Sequence, residues 1–147
     1  MTDFRLASAE KAEEAFYMAF ASADMEAMMA VWANDADVVC IHPHGPRLVG
    51  QAEIREGWRQ IMQNSPPIRF KISELNRVED GDLAVHYVNE QIHVGDSAEP
   101  EFTILATNIY RRTSQGWRMI LHHASPTPDS MEEAEADREE QEEVTLH

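Results

Sequence analysis

Four of the chain's seven histidines fall in two tight groups, His42-Pro43-His44 and His122-His123. Imidazole has an ordinary pKa of about 6.5, so these are the side chains best suited to move a proton near neutrality. Glu90 stands inside a β-prone run and shares its alternating face with His86 and Val88. On a solvent face such a carboxylate means little, but turned inward it becomes a buried acid with a raised pKa. His42, His44, His122 and Glu90 could also collect around a metal. Against that, His42 and His44 lie in a proline-rich segment and no two candidate ligands share a helix at i, i+4 spacing, so no metal is expected. No Gly-rich phosphate loop and no Gly-x-Ser-x-Gly occurs, leaving nucleotide binding and triad hydrolysis without support. No cofactor is expected.

Neighbouring residues on a strand point to opposite faces, so His122 and His123 cannot both line one pocket unless a bulge intervenes. Regular alternation puts Ile120, His122 and Ala124 on one face. It puts Trp117, Met119, Leu121, His123 and Ser125 on the other.

The elements that must position these groups follow from hydrophobic period. Ala12, Phe16, Phe20 and Ala23 recur at helical spacing within 7–23, with Glu10, Lys11, Glu13 and Glu14 opposite. Asp24 is the expected cap of a second, short helix burying Met25, Met28, Met29 and Trp32. Val38 to Ile41 is a short β-prone run, and His42 to Pro46 is a loop, since two prolines and a glycine end regular structure. After Gly50 a third helix spans 51–63, with Ile54, Trp58, Ile61 and Met62 on one face. Beyond Pro66-Pro67 the period changes to two, giving strands from Ile68, over 83–94, over 102–112 and over 117–125, with turns at 79–82, 95–100 and 113–116. Helices followed by an antiparallel meander make an α+β pattern.

A length of 147 residues suits a single domain with a real core. We place that domain at 1–128 and an acidic tail at 129–147, with a solvated helix possible over 130–143. The net charge of −15 is uneven: from Asp129 to Glu143 nine acidic residues face one arginine, a net of −8, which leaves −7 for the rest. Neither part offers the basic footprint that nucleic acid or an anionic membrane requires, so neither is an expected partner. No run approaches the roughly 20 apolar residues of a membrane span. The first residues lack the order of a signal peptide, which makes the cytoplasm the expected location. The single cysteine, Cys40, excludes an internal disulfide.

Three features together carry a family resemblance. They are the two-helix start ending near Trp32, the third helix after Leu48-Val49-Gly50, and the run Ala106-Thr107-Asn108-Ile109-Tyr110-Arg111-Arg112 with Trp117 to Ser125. Over roughly 7–126 the chain resembles the nuclear transport factor 2-like superfamily, in its SnoaL-like branch. Within it the chain is similar to the association domain of calcium/calmodulin-dependent protein kinase II and its bacterial stand-alone relatives, which share the order Thr, charged hairpin, Trp, His-x-Ser. The resemblance implies a cone-shaped, cystatin-like α+β fold. Three N-terminal helices pack in a strongly bent, mixed but largely antiparallel sheet, with a pocket at one end and an outer face that pairs with a second copy.

Matching to the association domain turns His122 inward beside Val88, Glu90, Asn108 and Tyr110, and leaves His123 and Ser125 structural or at an interface. A bulge would swap the two histidines. That domain lines its pocket with arginines for a carboxylate, whereas Val88, Asn108 and Ala124 stand at the matching positions here. A neutral or apolar ligand is therefore expected. In the ketosteroid isomerase branch the base is an aspartate followed by proline, and His42-Pro43 occupies that place. The branch's carbonyl-polarising tyrosine falls on Phe16, with Tyr17 turned about 100° away around the helix.

Fold alone does not decide function. The expected function is a small homodimeric pocket protein that binds a small apolar or neutral carbonyl-type ligand, with histidine-based proton transfer of an isomerase, dehydratase or cyclase kind. Phe16, Phe20, Trp32, Trp58, Val88, Asn108, Tyr110 and Ala124 would line the pocket, although Phe16, Phe20, Trp32 and Trp58 are most simply core residues at helical spacing. His42 or His122 would act as acid or base, and Glu90 would work beside them. The alternative is a non-catalytic association module. Copies would then join through a sheet face carrying Ile109, Trp117, Met119 and Leu121.

Overall fold

The computed structural model describes residues 6–127, and the expected acidic tail with its helix over 130–143 lies outside the described residues. Three helices come first: α1 (Ala9–Ser22), α2 (Met25–Val31) and α3 (Gln51–Asn64). Ser8 caps α1 by accepting from the Lys11 amide, and Ala23, in the left-handed region at φ 53°, stops it. Asp24 caps α2 as its sequence position predicts, accepting from the Ala27 amide. Gly50, at φ 85°, turns the chain into α3.

Among the described residues six strands form one sheet: β1 (Val39–Ile41), β2 (Arg47–Val49), β3 (Ile68–Asp80), β4 (Leu83–Val94), β5 (Phe102–Thr113) and β6 (Gly116–Pro126), in the order β2-β1-β6-β5-β4-β3. Every pairing is antiparallel except β1 with β6. Two details depart from the sequence expectation. Arg47–Val49 is an edge strand too short for alternation to reveal it. Glu79 and Asp80 belong to β3, so the β3–β4 turn shrinks to Gly81-Asp82.

The sheet wraps α1, which touches β3 on one side and β5 and β6 on the other. Ala12 and Ala19 are small enough to let the helix lie close. Phe16, Trp58, Trp32, Tyr110, Met28, Ile54 and Met119 fill the interior between them. Among the described residues no helix is long and apolar enough to cross a membrane.

The register of β6 corrects one expectation. Ile109 pairs with Leu121 but Tyr110 pairs with Met119, so Ile120 is an extra residue that bulges out of the ladder. The bulge resets the alternation. Trp117 and Met119, 8% and 0% exposed, therefore join His122 and Ala124 on the inner face. Ile109 and Leu121 stay on the outer face, so the four residues expected to form one interface do not share a side. Met119 also anchors α2, since its carbonyl accepts from the Ala33 amide at 2.9 Å.

Replacing Met119 with alanine should cost about 2–5 kcal/mol in urea unfolding, as for a buried large-to-small change. A loss under about 1 kcal/mol would place the side chain on the outer face instead.

Candidate functional site

The sheet's register aligns polar residues in one row across its concave face. Arg77 pairs with His86, His86 with Asn108, Asn108 with His122, and His122 with Cys40. Residues opposite one another in a ladder point to the same side, so five successive strands bring these groups into line. Helix α1 crosses above the row. Its positions 10, 13, 17 and 20 make a second stripe at helical spacing, directed at β3 and β4: Glu10 meets Arg77, Glu13 meets His86, Tyr17 meets Glu90, and Phe20 stacks on Phe70.

A directed chain of hydrogen bonds runs through the buried part of this row. His122 Nδ1 lies 2.6 Å from Asn108 Oδ1, and because an amide oxygen only accepts, the imidazole must donate. The same amide donates through Nδ2 to the Tyr17 hydroxyl at 2.9 Å. Tyr17 Oη in turn stands 2.5 Å from Glu90 Oε2 and donates to it when Glu90 is ionised. One tautomer of His122 is thereby selected: the proton sits on Nδ1, and Nε2 carries the lone pair.

Burial is the largest cause of shift for Glu90, His122, His42 and Tyr17. It raises Glu90 to about 7, against which the Tyr17 hydrogen bond acts only partly. It lowers His122 to about 3, with smaller contributions from His42 and His123, and lowers His42 to about 4. Tyr17 is raised above its ordinary range, first by burial and then by the Glu90 charge. At neutral pH both histidines are therefore uncharged, and Glu90 is the group poised to gain or lose a proton.

The sequence-derived candidates fall into three places. His42, His122, Phe16, Phe20 and Trp58 form one aromatic cluster. Ring centroids lie 4.6 Å apart for His42–Trp58, 4.9 Å for Phe16–His122 and 4.6 Å for Phe20–Trp58. Glu90 and Asn108 join it through Tyr17. Tyr110 lies apart beside His86, and Trp32 bridges to Met119. Val88 and Ala124 sit on the concave face with Ala106 between them in register. The interior around His122 is filled: Phe16, Trp58, Asn108 and His122 are each no more than 1% exposed. A cleft of about 220 Å³ opens beyond half-buried Phe20, lined by Phe20, Ile61, Met62, Pro66, Pro67 and Ile68. Phe20, packed on Trp58 and Phe70, separates that cleft from the polar row.

Tyr17 was expected to turn away from the site and instead sits at its centre. A single buried stripe had assigned the inward face to Phe16. The bent sheet encloses the helix from two sides, however, so adjacent residues both find buried partners. The signal was present in the 10–13–17–20 spacing, masked because two of those residues are glutamates. Cys40 was likewise unplaced; its sulfur lies 3.5 Å from His42 Nε2, and burial raises its thiol well above the usual range.

Comparison with known proteins gives the same fold. A family model described as a SnoaL-like domain matches residues 10–130. The chain is 42% identical to a candidate calcium/calmodulin-dependent protein kinase type II association domain from Thiobacillus denitrificans, covering 83% of this chain and 97% of that one, with a TM-score of 0.80. A candidate dehydratase of the NTF2-like family from Streptomyces avermitilis is 34% identical over 79% of this chain and 91% of its own, with a TM-score of 0.72. The F-box protein SKIP8 of Arabidopsis thaliana is 25% identical over 101 residues, which are 69% of this chain. The match spans only 42% of SKIP8's own length. The expected α+β architecture of cystatin-like type stands.

Because Glu90 holds its proton to about 7 when folded against 4.5 ordinarily, its contribution to stability is complete below pH 4.5 and lost as pH rises toward 7. The stability of the protein relative to Glu90→Gln, followed by urea unfolding across pH, should therefore fall through that window and flatten above it. A difference independent of pH would mean that Glu90 ionises normally.

Proposed function

The chain belongs to the SnoaL-like domain family, and from that premise we propose that it binds a small apolar or neutral carbonyl-type ligand and moves a proton on it. The observation that supports this most is the directed chain from His122 through Asn108 and Tyr17 to Glu90. A buried acid with a pKa near 7 both donates and accepts at neutral pH. When Glu90 is protonated, the Tyr17 hydroxyl no longer donates to it, and its proton can polarise a carbonyl oxygen. His122 Nε2, with its lone pair fixed by the opposite nitrogen, accepts a proton or hydrogen bond from the ligand. His42 stands against Trp58 as a second neutral imidazole.

Phe16, Phe20 and Trp58 supply the apolar wall. Binding would displace Phe20 from its contacts with Trp58 and Phe70, joining the outer cleft to the polar row. A neutral ligand is favoured because Val88, Asn108 and Ala124 put no cation on the concave face at those positions. The likeness to a candidate dehydratase at 34% identity is in keeping with acid–base chemistry.

A thermal-shift screen of small neutral ketones and enones should yield binders; one present at a hundred times its Kd adds about 2.7 kcal/mol of stability. Exchange of the proton beside the ligand's carbonyl, read by NMR in deuterated buffer, should slow by about a hundredfold or more in Glu90→Gln. Absence of any binder, or exchange that Glu90→Gln leaves unaltered, would sink the proposal.

A second function, as a self-association module, has its own support. The chain is 42% identical to a candidate association domain, and its outer face carries a groove of about 320 Å³ among Leu75, Tyr87, Leu105, Thr107, His123 and Ser125. Leu75 and Tyr87 are 58% and 41% exposed there. Light scattering should then report a dimer or larger assembly that Tyr87→Glu reduces to monomers. A monomeric wild type would remove this alternative.

A further inference from the structure

A second cluster of chemistry lies at the other end of the polar row, outside the proposed proton-transfer site. Glu13 of α1, Glu74 of β3 and His86 of β4 each offer a ligand atom, and these atoms lie within 4.8 Å of one another. His86 Nδ1 and Glu13 Oε1 are 3.2 Å apart. That is close to the edge of a tetrahedron with metal–ligand bonds of about 2.0 Å, which is about 3.3 Å. The cluster is built into the fold. Glu13 sits on the α1 stripe over β4, His86 lies in the cross-strand row, and Glu74 immediately precedes the irregularity at Leu75 in the β3–β4 ladder.

The inner wall of the cluster is buried. Among the described residues His86 Nε2 and the Tyr110 hydroxyl have no hydrogen-bond partner, and both residues are 0% exposed. Their rings stand 5.1 Å apart. With an ion on Nδ1 the ring proton sits on Nε2, which points away from the carboxylates, so the ion would hold one tautomer of His86. Local charge agrees. Glu10, Glu13 and Glu74 bring three carboxylates against the one guanidinium of Arg77, which pairs with Glu10 and Glu74. A divalent ion would balance the excess.

We propose that Glu13, Glu74 and His86 form a binding site for a divalent transition-metal ion of the zinc class. One imidazole and two carboxylates suit such an ion better than calcium or magnesium, which take oxygen ligands. Glu74 is exposed and reaches solvent, so the ion enters between α1 and β3, while His86 closes the site from below. Arg77 competes for Glu74 and therefore limits the affinity.

Calorimetric titration of the chelator-treated full-length protein with Zn²⁺ alone tests this. One saturable site per chain is expected, and Glu74→Gln, an exposed change that leaves the core intact, should weaken it by about tenfold or more. Arg77→Gln should tighten it, because a competing cation is gone. Co²⁺ in place of Zn²⁺ should give the visible absorption of a low-symmetry site, absent in Glu74→Gln. No saturable binding would overturn the site, as would zinc bound equally well by Glu74→Gln, which would locate it on other acidic residues such as those from Asp129 to Glu143. Weaker binding in Arg77→Gln would do the same.

Discussion

A polar group taken out of water must find a partner, and that constraint organises the concave face of this protein. Four side chains meet it in series: His122 donates to Asn108, Asn108 to Tyr17, and Tyr17 to Glu90. Each holds the next in one orientation, and each comes from a different element. The chain exists only if α1, β4, β5 and β6 are all in register. Secondary structure, sheet order and helix placement thus converge on one line of hydrogen bonds.

The two ends of the row differ in their contact with water. Around His122 the aromatic rings of Phe16 and Trp58 exclude solvent, which keeps both neighbouring histidines neutral and lifts Glu90 toward neutrality. At the other end Arg77, Glu74 and Glu10 reach the surface, where ion pairs are screened and contribute little. One row therefore carries proton chemistry at its buried end and charge recognition at its exposed end. Its midpoint, Asn108, sits beside both histidines in the sheet.

Much of the fold is legible in the residues. The caps at Ser8 and Asp24, the breaker prolines at 66 and 67, and the change of period after them mark the elements. The inward turn of His122 follows from alternation matched to a related pattern. What alternation could not carry was the parity of β6, since an extra residue leaves no mark in composition, so Trp117 and Met119 were placed on the wrong face. The site was harder still. A helix enclosed on two sides buries two stripes, and Tyr17 lies in the one that also contains Glu10 and Glu13. Charged residues in a buried stripe look like a solvent face until the opposing Arg77 and His86 are known. Those partners lie more than sixty residues away in the chain, beyond the reach of any local pattern.

The bulge at Ile120 makes β6 behave as two strands with opposite phase. The part before it is tied to α2 through Met119 and belongs to the scaffold, and the part after it carries His122 into the row. The phase between them is set by the residue count together with the bulge. Deleting Ile120 would close the ladder into regular alternation with His122 still on the inner face, whereas losing the bulge at unchanged length would bring His123 there if the scaffold half held its place. The bulge thus chooses one histidine over the other without changing the identity of either. In a lineage with this strand, keeping or losing that bulge, and not substitution at either histidine, decides which imidazole faces the cone.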